Sequence, residues 1–123
     1  MHEFIETPAD ILALTVSGKI TGEDLDAIIE RLERAFDDHE KVHVFVETRS
    51  LDAIELRGLA AYLVRAMPMF GKLHRFGRLA VVADQTWVQV ATRIESAVLP
   101  GISYRTFAPS ERDVALAWVI NDG

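Results

Sequence analysis

The chain has 123 residues, half of them apolar and 26% charged, with a formal net charge of −6. These values suit one globular domain, residues 1–123, able to withdraw roughly two-thirds of its unfolded surface from water. The absence of cysteine excludes disulfides, thiolate metal centres and thiol catalysis. No apolar run nears the ~20 residues of a membrane-spanning helix. Met1-His2-Glu3 opens with an acid and no basic-then-apolar leader follows, so a cytoplasmic protein without an integral membrane segment is expected.

In chain order, Phe4-Ile5 and Ile11 to Val16 read as two strands joined by a turn at Thr7-Pro8-Ala9-Asp10. So short a connection implies antiparallel pairing, and Gly18 ends the second pattern. Thr21-Gly22-Glu23-Asp24 resembles a capping box, with Asp24 a shortened substitute for glutamate. Leu25, Ile28, Ile29, Leu32 and Phe36 then recur at helical spacing, which predicts an amphipathic helix. Val42 to Glu47 reads as a strand ended by Thr48-Arg49-Ser50, followed by a helix from about Glu55 to Met67 that Pro68 breaks.

Arg78-Leu79-Ala80-Val81-Val82-Ala83-Asp84 lacks any apolar–polar alternation. A strand built from it must be buried on both faces, the mark of a central parallel strand, with Asp84 able to cap a helix from Gln85. Trp87, Val90, Ala91, Ile94, Ala97 and Val98 predict that helix, stopped by Leu99-Pro100-Gly101. Ile102 to Phe107 reads as an edge strand because Ser103 and Arg105 alternate with apolar residues. A last helix opens at Pro109-Ser110 with Ser110 as its cap and Val114, Ala117 and Trp118 turned inward. The expected fold is therefore α/β: a single five-stranded, mostly parallel sheet with one antiparallel edge strand and four to five helices.

Motifs for chemistry are sparse. His39-Glu40-Lys41-Val42-His43 matches the H-E-x-x-H string of zinc peptidases, whose histidines must lie one turn apart on a helix. Here the string straddles a helix end and a strand, so no metal site is expected, and no cofactor. There is no phosphate loop, no dinucleotide fingerprint and no nucleophile elbow, which argues against an enzyme. From Leu56 to Ala83 there is no acid, while Arg57, Arg65, Lys72, Arg75 and Arg78 fall there. The acidic balance argues against nucleic acid as a partner. Lys72, His74, Arg75 and Arg78 read as the candidate for a focused basic face or as solvated charges at a helix end near carbonyl dipoles. Tyr62, Met67, Met69 and Phe70 read as a core stripe or as an adaptable apolar ligand wall. Asp84 and Trp87 read as a cap with a packed indole, or as ligand contacts at a strand's carboxyl end.

The run from Arg78 to Asp84, then Trp87, Leu99-Pro100-Gly101, Phe107 and Ala117-Trp118, resembles the SpoIIAA-like proteins of the STAS/SEC14 type. The resemblance implies a five-stranded sheet with about four helices, and its small stand-alone members have no assigned function. In STAS-type anti-sigma-factor antagonists, Asp-Ser-Ser-Gly-Leu enters the second helix and a serine is phosphorylated. The matching stretch here is Ile54 to Leu59, where Glu55 replaces the acid, Gly58 and Leu59 fit, and Leu56 and Arg57 replace both serines. A phosphate switch there has no acceptor. SEC14-type relatives bind lipids or other apolar molecules, which implies Lys72, Arg75 and Arg78 as the contact for an anionic head group. The resemblance thus implies a non-enzymatic module for a small apolar or lipid-like ligand. The alternative is a regulator docking a protein partner through Glu55, Arg57 and Gly58 without phosphorylation. A homodimer is expected in either case.

Overall fold

The computed structural model describes residues 1–54, 75–84 and 102–120. Its five strands are β1 (His2–Ile5), β2 (Ile11–Ile20), β3 (Val42–Ile54), β4 (Phe76–Val82) and β5 (Ser103–Phe107), ordered β1-β2-β3-β4-β5. β1 pairs antiparallel to β2, and every other neighbour pair is parallel. Two α-helices lie among the described residues, α1 (Gly22–Asp38) and α2 (Arg112–Ile120), the latter preceded by a 3-10 turn at Pro109–Glu111. The helices expected from Glu55 and from Trp87 fall outside the described residues.

α1 forms where its cap dictates. The Thr21 hydroxyl accepts from the Asp24 amide at 3.3 Å, and Asp24 Oδ2 accepts from the Thr21 amide at 2.8 Å. The stripe Leu25, Ile28, Ile29 and Leu32 packs with buried Ala35 and Phe36 against Leu12, Leu14, Val16 and Val44 on one sheet face. The opposite face carries Ile11, Ala13, Phe45, Ala80 and Val82, packed with Phe107 and with Ala115 and Val119 of α2. Strand alternation sorts these residues: Val42 and Val44 go to α1's side, His43, Phe45 and Glu47 to α2's.

Several expectations need correction. β3, not the strand at residues 78–84, occupies the middle of the sheet. β4 is nevertheless interior and covered on both sides, since Ala80 and Val82 are fully buried while Leu79 packs into the α1 cluster. Thr48-Arg49-Ser50 does not end β3, which continues to Ile54 alongside β2. Gly18 does not end β2 either; at φ +57° it takes up a bulge, and the strand runs on to Ile20.

The last helix is rotated from its expected face. Ala115 and Val119 are buried, Val114 is 60% exposed and Ala117 is exposed, whereas Trp118 packs half-buried against the Phe107 cluster as expected. Ser110 lies in the 3-10 turn, and the Glu111 carboxylate instead accepts from the Ala108 amide at 2.9 Å. The edge character of β5 is as its sequence implies, with Ser103 and Arg105 exposed.

β3 and β4 are keyed by a second irregularity. His43 lies over Gly77, and its Nδ1 accepts from the Arg78 amide at 2.9 Å within a register shift. A Cβ on Gly77 would stand 2.2 Å from His43 Cε1. Gly77→Ala should therefore destabilise by about 1–3 kcal/mol in urea unfolding, and by about 1 kcal/mol less in a His43→Ala background. The rotation of α2 is checked the same way: Val119→Ala should cost about 1–3 kcal/mol and Val114→Ala less than about 0.5 kcal/mol.

Candidate functional site

Glu47 is the buried charged residue among the described ones, 4% exposed on the middle strand. In register it lies between Thr15 of β2 and Val82 of β4, and Val82 in turn lies opposite Phe107 of β5. That row marks the carboxyl ends of β4 and β5, whereas β2 and β3 continue beyond it. The sheet edge is thus a step, with the start of α2 above it.

Three groups converge on the Glu47 carboxylate. Arg112, the first residue of α2, donates from Nε to Oε1 at 2.9 Å, and the Thr15 hydroxyl donates to the same oxygen at 3.1 Å. Arg49 brings its Nε within 3.2 Å of Oε2. The Arg112 guanidinium also stands 6.0 Å from the Phe45 ring centre. Burial pushes the Glu47 carboxyl up, but the hydrogen bonds from Arg112, Arg49 and Thr15 and the charge of Arg112 outweigh it and hold the group below the usual carboxylate range. The Thr48 hydroxyl, on the other face, donates to the Val82 carbonyl at 3.1 Å. Asp84 is half-buried two residues past the end of β4.

The basic residues singled out from the sequence divide. Arg75 donates from Nε to the Glu40 carbonyl at 2.8 Å and from Nη2 to the Phe36 carbonyl at 2.7 Å and to the His39 carbonyl. Its guanidinium also lies 5.1 Å from the Phe36 ring centre. α1 has no base in its last turn, where Asp37 and Asp38 oppose its dipole, so Arg75 supplies the missing cation. Arg78 does likewise for α2, donating from Nε and Nη2 to the Val119 carbonyl at 3.0 and 2.8 Å. The structure therefore directs these two guanidiniums at helix ends. Tyr62, Met67, Met69, Phe70, Lys72, Trp87, Glu55, Arg57 and Gly58 lie outside the described residues.

The H-E-x-x-H string falls on two elements. His39 closes α1 in extended geometry and His43 lies within β3. Because His43 Nδ1 accepts a hydrogen bond, the ring proton resides on Nε2. Among the described residues no group of three or more His, Asp or Glu is arranged to hold a metal, and no helix is long and apolar enough to cross a membrane.

A five-stranded mixed α/β sheet of this order, with an antiparallel first strand, defines the class. Residues 11–120 match the SpoIIAA-like family, and the chain belongs to it. It is similar to the crystal structure of an uncharacterized protein from the DUF3478 family with a SpoIIAA-like fold, from Shewanella loihica PV-4. The two share 24% identity with a TM-score of 0.67, over 97% of this chain and 92% of that one, a likeness of fold. No curated protein matches the chain.

Sequence reading passed over Glu47. The available signal was its phase: it shares the strand face of Phe45, two residues on, and so points inward. Glu47→Ala should destabilise by roughly 1–3 kcal/mol, because Arg112 and Thr15 lose the acceptor they share. A folded-state carboxyl held low contributes stability above the unfolded value near 4 and loses it as pH falls through the folded value. Wild-type stability should therefore decline below about pH 4, and the acid limb should flatten in Glu47→Ala, read by urea unfolding across pH.

Proposed function

We propose that the protein is a non-enzymatic cytoplasmic module that binds a small apolar or lipid-like ligand as a homodimer. The observation that carries this reading is the state of Glu47. A general acid or base works with its pKa near the operating pH. Glu47 is driven the other way by Arg112 and Arg49, which suits a carboxylate that orients charges. The apolar residues Tyr62, Met67, Met69 and Phe70 in the sequence are of the type that an apolar ligand contacts.

One observation favours a second reading, docking of a protein partner through Glu55, Arg57 and Gly58. β3 ends at Ile54, so the middle strand leads directly into that stretch. Two variants separate the readings. Met69→Asp should abolish co-purifying lipid or other apolar cargo, measured by mass spectrometry of organic extracts, while Arg57→Glu leaves it intact. Absence of cargo from wild-type protein purified from its own host, with partner capture lost only in Arg57→Glu, would replace the ligand reading by the docking one.

A further inference from the structure

Glu47 is shared between two cations. The Glu47 carboxylate therefore faces two guanidiniums, from Arg49 two residues further along β3 and from Arg112 of α2, one positive charge more than it neutralises. Both arginines meet Glu47 through Nε. Their terminal nitrogens have no hydrogen-bond partner among the described residues, apart from a loose 3.6 Å approach of Arg112 Nη1 to Asp113 Oδ1. The Asp113 side chain is 98% exposed, so water screens that approach. Arg112 is 29% exposed and anchored at the start of α2, whereas Arg49 is 63% exposed at the step in the sheet edge.

We infer that Arg49 and Arg112 form an oxyanion site, with Glu47 as the residue that positions both guanidiniums side by side. The ligand chemistry is a phosphate ester or a comparably compact oxyanion. Paired N–H edges match tetrahedral phosphate oxygens, and guanidinium, weakly hydrated and planar, suits the task better than ammonium. The one positive charge beyond what Glu47 neutralises favours an anion at this position. Partial burial strengthens the attraction over that of a solvated pair. Arg75 and Arg78 are directed at helix carbonyls, so this pair replaces them as the anionic contact. The inference deepens the ligand reading above by supplying a place for an anionic head group, and it has its own readout.

The probe is inorganic phosphate, titrated into the full chain at constant ionic strength and followed through the arginine Nε–H resonances by NMR. Saturable shifts of Arg49 and Arg112 at millimolar phosphate are expected, with chloride at matched ionic strength giving none. Arg49→Gln, a change at an exposed side chain, should weaken phosphate at least tenfold, and Arg49→Lys should recover part of the loss. Shifts that follow ionic strength alone, or affinity unchanged in Arg49→Gln, would overturn the site. A second arm distinguishes sources: phosphatidylcholine vesicles containing phosphatidate should retain wild-type protein and release Arg49→Gln if the phosphate belongs to a lipid. Retention of neither, with phosphate binding intact, assigns a soluble phosphate ester. Apolar cargo without any response at Arg49 overturns this site and leaves the ligand reading standing; phosphate binding without cargo does the reverse.

Discussion

Arg75 and Arg78, three residues apart at the entrance to β4, each reach the carboxyl end of a different helix, α1 through Phe36 and Glu40, α2 through Val119. Neither helix has a base of its own in its last turn. Helix carbonyls left without partners against a sheet would oppose docking. By meeting them from β4, the chain ties both covering layers to one strand. Glu47 and Arg112 complete the arrangement at the other end of α2. The helix is held at its first residue by an ion pair, at its last turn by a guanidinium, and between them by Ala115 and Val119.

This division explains what the sequence could and could not disclose. α1 was legible because everything that defines it is local: Thr21 and Asp24 lie three residues apart, and its stripe has a polar far side. The antiparallel first pair and the edge character of β5 were legible for the same reason. α2 was misphased because its residues Val114 to Ile120 are apolar all round, so two faces compete on hydropathy. The choice between them is made by Arg112 meeting Glu47, 65 positions away, and no local pattern encodes that. β3 looked finished at Thr48-Arg49-Ser50 because polar residues in an apolar strand resemble a turn. They continue it because β2 extends alongside.

The candidate site shows the same limit. Its residues come from β2, β3 and the start of α2, and each looks ordinary alone. A glutamate within β3 and an arginine opening a helix acquire meaning only when α2 packs on the sheet and brings them together. Among the described strands the order of the parallel members never reverses, so it offers no switch point of the kind that opens a crevice in doubly wound sheets. The step left by the longer β2–β3 pair stands in its place.

The glycine beneath His43 has a bearing on how the chain finds its alignment. Sliding β4 by one residue against β3 would bring Phe76 or Arg78 under the imidazole, where the present contact already excludes a single methyl. Mispaired alternatives are thereby rejected sterically as well as by the loss of apolar burial. A parallel pair, assembled late from distant segments, gains from this an unambiguous seat: one vacancy of hydrogen size acts as the notch that admits the right tooth.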